Sequence, residues 1–338
     1  MDEGSYVTDL IEGDYVETVE GLLFTVKGLS HPAGRIIAYL RYIPDKSGDR
    51  KRLGKKYRRV YDLKDTTEFL IEHFPKYVSY VGRLGLTLQT VPWYRIANSY
   101  RSRERLQELM ADPKTELEKA VAEFTSTLSA ESGVAIENFG VSGSLLVDLA
   151  SLDSDIDIAV YGGEAGEKIY TTLKFLRGTQ TWITPYDDTS IRNVLKTRWG
   201  GTGLDLDVLL SIELRKVLHG LVKGREYFVR LIRNPEEVEA EIRSKPLGDV
   251  RLSAVISDAC ESIFTPCRYQ IKNCSLFEAS MDENVSELVS YRGRFTEQVR
   301  EGDAVYARGT LEEVDYGDKF VYRVILGSRG DYLVPFEV

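Results

Sequence analysis

Two carboxylates spaced two residues apart among apolar neighbours are the first feature of this 338-residue sequence that could do chemistry. Residues 141–160 read Val-Ser-Gly-Ser-Leu-Leu-Val-Asp-Leu-Ala-Ser-Leu-Asp-Ser-Asp-Ile-Asp-Ile-Ala-Val. In a strand alternate side chains share a face, so Asp155 and Asp157 point one way while Ile156 and Ile158 point into a core. Like charges held that close repel unless a cation neutralises them. Hard Mg²⁺ takes one or two carboxylates together with substrate phosphate oxygens, which is the chemistry of nucleoside triphosphates, and Mn²⁺ can replace it.

Farther along, Gly203 to Leu210 carries Asp205 and Asp207, again alternating with apolar residues. Read as a strand from Leu204 to Leu210 lying beside the first, it adds a third carboxylate. Three carboxylates can hold two metal ions about 3.5–4 Å apart, one activating an attacking hydroxyl and the other steadying the leaving pyrophosphate. The turn Gly143-Ser144 has the complementary role: glycine admits a phosphate close to the backbone, and the Ser144 hydroxyl can donate to its oxygens.

These residues need elements to position them. The pattern predicts an N-terminal α+β module over 1–110, with strand-like runs at 15–26, 35–43 and 56–63, a helix at 66–74, an extended run at 84–96 and a charged helix at 101–110. The central domain, 111–235, opens with Asp112 as a helix cap and Pro113 at the first helical position, followed by an apolar stripe of Leu117, Val121, Phe124 and Leu128. A strand at 136–141, the Gly-Ser turn, a strand at 155–161, helices at 164–176 and 189–198 and the acidic strand complete it. Residues 236–338 read as a connector, helical over 234–247, and a β-rich module for which an OB-type barrel is one candidate.

At this point the sequence resembles the DNA polymerase β nucleotidyltransferase superfamily, in particular its minimal and archaeal-type members. The family pattern is an apolar residue, Gly-Ser, about ten residues, and Asp-x-Asp with apolar flanks, with a third acidic residue on a later strand. Here ten residues separate Ser144 from Asp155-Ile156-Asp157, and Ser154 precedes the pair. The resemblance covers about residues 112–215. It implies an α+β fold with a mixed sheet and flanking helices, Asp155, Asp157 and Asp207 as catalytic metal ligands, with Asp207 preferred over Asp205, and Gly143 and Ser144 as nucleotide contacts. It implies Mg²⁺-dependent transfer of a nucleoside monophosphate from a triphosphate to an acceptor hydroxyl. Small members carry Arg-Gly just after Gly-Ser, whereas this chain has Leu145-Leu146-Val147-Asp148. Arg192, Lys196 and Arg198 are candidates for the phosphate contact, or form a solvated helix face.

Composition narrows the partners. A net charge of −9 argues against coating nucleic acid by bulk electrostatics. One basic segment stands out, with Lys46, Arg50, Lys51, Arg52, Lys55, Lys56, Arg58 and Arg59 within a stretch that also offers Tyr57 as a base-stacking ring. It points to contact with RNA or DNA and to an RNA end as the acceptor; a small molecule or a protein side chain is the alternative, as is a non-catalytic nucleic-acid-binding protein that keeps the fold. Trp93, Tyr94, Trp182 and Trp199 read as core or interface residues. Cys260, Cys267 and Cys274 form neither a disulfide framework nor a zinc motif, and His31, His73 and His219 stand alone. Met1-Asp2-Glu3-Gly4 lacks the pattern of a signal peptide and no apolar run could span a bilayer, so the expected location is the cytoplasm, without membrane contact.

Overall fold

Short runs of β-branched and aromatic residues broken by Gly, Pro and Asp fold as antiparallel strands over the first part of the chain. The computed structural model describes residues 9–239, 241–277 and 285–336, so the opening tetrapeptide lies outside the described residues. The protein is a mixed α+β chain with several sheets, divided into two compact units, residues 1–161 and 162–338.

In the first unit, β1 (Tyr15–Thr18), β2 (Leu23–Val26), β3 (Arg35–Pro44), β4 (Arg50–Arg52) and β5 (Lys55–Arg59) precede helix α1 (Leu63–His73). Then come β6 (Val78–Val81), β7 (Leu86–Pro92), β8 (Ile96–Tyr100), α2 (Ser102–Ala111), α3 (Glu116–Ser132), β9 (Phe139–Val141), the one-turn α4 (Gly143–Leu146) and β10 (Ile156–Tyr161). The sheet runs β4-β5-β3-β2-β1-β8, with β7 also on β3 and β6 on β7. Its register puts Val16, Phe24, Val26, Ile36, Ala38 and Leu40 in one core with Leu70 and Tyr77. A second cluster joins Tyr15, Leu23, Tyr42 and Tyr57 of the sheet to Leu146, Val147 and Leu149 beyond the Gly-Ser turn. The first unit thus runs through residue 110, and the N-terminal strands share a core with the segment that carries the chemistry.

The helix after Pro113 starts later than expected. Asp112 closes α2, and α3 is capped by Thr115, whose side chain accepts from the Glu118 amide while Glu118 reaches back to the Thr115 amide. This reciprocal capping box satisfies two end amides where Asp112 could satisfy one. Trp93 and Tyr94 are exposed, 44% and 78%, contrary to the core role expected for them, whereas Trp199 is buried.

The second unit contains α5 (Gly163–Thr179), β11 (Ile183–Thr184), α6 (Asp188–Trp199), α7 (Leu206–Arg215), β12 (His219–Val222) and β13 (Arg225–Ile232). Strands β11, β12 and β13 pair antiparallel in sequence order. There follow β14 (Arg243–Asp258), β15 (Cys267–Phe277), β16 (Val285–Ser290), β17 (Ala304–Asp315), β18 (Phe320–Ile325) and β19 (Tyr332–Pro335). Pairing runs β14-β15-β16-β18-β17 and returns from β17 to β14, so five strands close into a ring, with β16 and β18 parallel. Leu252, Ala254, Ile256, Tyr269, Leu288, Val305, Leu311 and Val324 fill its interior. The charged segment expected as a helix over 234–247 instead makes one 3-10 turn at Pro235–Glu237, and its end enters β14. Partner strand β17 supplies the pairing that overrides local helix propensity. Among the described residues no helix is long and apolar enough to cross a membrane.

Candidate active site

The strand–turn–strand around Gly143 is built by pairing. β10 lies antiparallel to β9 with Val141 opposite Ile158, and the Ser142 amide donates to the Asp157 carbonyl at 2.9 Å. Ile156 and Ile158 are 0% and 1% exposed, whereas Asp155 and Asp157 on the opposite face are half-buried, as the alternation predicts. Gly143 has φ +63°, and a Cβ there would stand 2.1 Å from Asp157 Oδ2. Only a residue without a side chain allows this approach of backbone to carboxylate. Ser144 is buried, and its Oγ has no hydrogen-bond partner among the described residues. A buried hydroxyl without a partner is costly unless something else satisfies it.

The loop delivering Asp155 is clamped from the N-terminal sheet. Arg50 Nη1 donates to Ser154 Oγ at 3.0 Å, to the Leu149 carbonyl at 3.3 Å and to Ser151 Oγ. Ser154 Oγ also accepts from the Ser151 amide at 2.9 Å, closing a small turn. On the other side Arg105 donates to Asp148 Oδ1 at 2.7 Å and to the Leu145 carbonyl at 3.3 Å. Ser142 Oγ donates to the Gly13 carbonyl at 2.7 Å.

The basic segment forms the expected hairpin, β4 and β5, turning through Leu53 and Gly54, both with positive φ as tight hairpin turns require. Its charges are not all free for a ligand. Arg52 is spent on Glu17, at 3.1 Å, and Tyr100, and Arg58 on Asp45 at 2.9 Å. Lys46, Lys51, Lys55 and Lys56 remain exposed. Tyr57, expected as a stacking ring, is 2% exposed and belongs to the core, because it alternates inward from its charged strand neighbours. Arg59, at the end of β5, places Nη2 3.9 Å from Asp155 Oδ1. Burial acts to lower its pKa, but Tyr42, Tyr61, Asp155 and Asp157 outweigh that and raise it. Tyr61, which no sequence pattern marks, is 56% exposed with Arg59 4.4 Å from its ring centroid.

Asp205 and Asp207 belong to the second unit, and the strand expected for them is a helix. Asp205 caps α7, accepting from the Asp207 amide at 2.8 Å, and Asp207 lies in the first turn. The two therefore do not share the face of a strand. Of the cationic residues considered for phosphate, Arg198 is tied to Glu213 at 3.1 Å and to His219 Nδ1 at 3.0 Å, while Arg192 and Lys196 are exposed. Among the described residues no three His, Cys, Asp or Glu side chains are grouped to hold a metal ion. Two half-buried carboxylates on one face do fit Mg²⁺ that arrives with phosphate oxygens to complete its shell.

No protein-family model matches the chain. No solved structure matches it either. The chain is similar to "Uncharacterized protein MJ1086" of Methanocaldococcus jannaschii, 29% identical over 329 residues that cover 93% of this chain and 94% of the relative.

Proposed function

We propose that the protein is a nucleotidyltransferase of the DNA polymerase β type, transferring a nucleoside monophosphate from a triphosphate to an acceptor hydroxyl. The observation that carries the reading is the contact between Gly143 and the Asp157 carboxylate, formed where a two-stranded turn sets Asp155 and Asp157 on one face. A purely structural turn has no need to bring a bare backbone against a carboxylate.

In this reading Asp155 and Asp157 hold Mg²⁺, which neutralises the phosphates and lowers the pKa of the attacking hydroxyl when bound. Ser144 Oγ donates to a phosphate oxygen, and Gly143 leaves room for the Asp157 carboxylate. Arg50 keeps Asp155 in place through Ser154. Asp207 is the third carboxylate by resemblance and acts on the acceptor. The exposed Lys46, Lys51, Lys55 and Lys56 are the cationic surface for an RNA acceptor. The ring order of β14 to β18, with its one parallel pair, supports reading the C-terminal part as an OB-type barrel. A cytoplasmic location belongs to the same reading. The test is Mg²⁺-dependent pyrophosphate release from each of the common ribonucleoside triphosphates with total RNA as acceptor: release lost in Asp155→Asn supports it, and release unaffected by that change sinks it.

The pairing of Arg50, Arg52 and Arg58 within the protein favours a second reading, in which the acceptor is a small molecule or protein side chain. Replacing the four lysines by glutamine separates the two: an RNA acceptor is lost, and a small acceptor is still used.

A further inference from the structure

Arg50, Arg52 and Arg58 all have hydrogen-bond partners, yet two other arginines of the same sheet do not. The Arg59 and Arg41 side chains make no hydrogen bond among the described residues, although the Arg59 side chain is only 24% exposed and Arg41 is half-buried. Arg59 is 3.9 Å from Asp155, too far for a hydrogen bond, so its five N–H donors are unfilled. Both guanidinium groups lie within 6 Å of the Tyr61 ring centroid, Arg59 at 4.4 Å and Arg41 at 5.9 Å. That ring is 56% exposed. Arg59 and Tyr61 also line a cavity of about 270 Å³ whose apolar wall is Ile43, Val60 and Phe69 and whose polar groups include Asp62 and Thr66.

A partly buried guanidinium with open donors calls for a planar or tetrahedral oxyanion, and an exposed aromatic ring beside it calls for a flat apolar group. A nucleotide carries both. The Asp155 carboxylate 3.9 Å away would repel a free anion, so the oxyanion must arrive with a cation that neutralises it. We infer that Arg59 and Tyr61 bind the donor nucleoside triphosphate, Arg59 through its phosphates and Tyr61 by stacking on its base, with the base edge in the cavity and Arg41 backing the ring. The inference rests on the proposed nucleotidyltransferase reading and assigns the donor contacts to the N-terminal sheet.

Three probes separate the parts: the Mg²⁺ complexes of ATP and its three ribonucleotide counterparts, Mg²⁺ with inorganic tripolyphosphate, and adenosine alone, each titrated calorimetrically into the full chain. Arg59→Met should weaken the best triphosphate and tripolyphosphate alike, by about ten-fold or more. Tyr61→Ala should weaken the triphosphate by about ten-fold and leave tripolyphosphate unchanged. Arg59→Lys, which keeps the charge and loses the fork, should fall between wild type and Arg59→Met, and a thermal unfolding midpoint near wild type shows that each variant folds. If the wild type binds a triphosphate with Mg²⁺ and both variants bind it equally well, the inference is wrong while the enzymatic reading stands. If the wild type binds none, both fall together.

Discussion

The Cα of Gly143 and the carboxylate of Asp157 are so close that a Cβ on the glycine would overlap Oδ2 at 2.1 Å. Both residues are fixed by the same pairing, since Ser142 donates to the Asp157 carbonyl. Gly143→Ala should therefore act twice. The left-handed φ of +63° costs an alanine about 1–2 kcal/mol, and the methyl group must push Asp157 off its position. Thermal unfolding should show the first effect, and loss of Mg²⁺–triphosphate binding the second. A variant that binds normally would mean that Asp157 does not need this position.

Ser144 predicts the opposite sign for stability. Its buried Oγ has no partner, so Ser144→Ala removes an unsatisfied group and should leave the unfolding midpoint unchanged or raise it. The same change should weaken triphosphate binding, because the hydroxyl is then missing as a phosphate donor. A clear fall in stability would show that the hydroxyl has a structural partner.

Asp205 and Asp207 can be told apart. Asp205→Ala removes the α7 cap and should cost about 1 kcal/mol while leaving transfer intact. Asp207→Ala should abolish transfer and retain Mg²⁺–triphosphate binding, the behaviour of a carboxylate that serves the acceptor. Unchanged pyrophosphate release from Asp207→Ala would remove it from the site.

His31 sets an acid limb of stability. It is fully buried, its Nδ1 accepts from the Ile37 amide at 3.2 Å and its Nε2 faces the Leu10 carbonyl at 2.9 Å, an arrangement that suits the neutral ring. Burial, partly opposed by the Leu10 carbonyl, pushes its pKa from 6.5 down to about 4. The folded value is below the unfolded one, so the stabilisation is complete above about pH 6.5 and is lost as pH falls towards 4, by about 3 kcal/mol. Urea unfolding at about pH 7.5 and about pH 4.5 should show that loss, and His31→Gln should shrink the difference between the two. An unchanged difference would assign the acid sensitivity to other groups.

If the acceptor is RNA, four exposed lysines imply a plot of log affinity against log salt with a slope of about −3 for a single strand. Filter binding across a salt series measures it. A slope near zero would favour the small acceptor.

What the sequence revealed and what it concealed have physical reasons. The strand of Asp155 and Asp157 was legible because Ile156 and Ile158 alternate with them, and both bury completely. The same acid–apolar alternation at Asp205-Leu206-Asp207 misled, because an aspartate that starts a helix can sit two residues before another and cap its amide. Tyr57 was misplaced because composition marks a segment as basic but not which residues its pleat turns inward. Arg50 on Ser154 and Arg59 near Asp155 were invisible because they join residues about a hundred positions apart, a relationship that only the folded sheet creates.

The central claim is tested most directly by calorimetric titration of the full chain with each Mg²⁺–ribonucleoside triphosphate, wild type against Asp155→Asn/Asp157→Asn. The account predicts metal-dependent binding of at least one triphosphate that disappears in the double variant. Binding that survives the loss of both carboxylates, or no binding by the wild type, would contradict it.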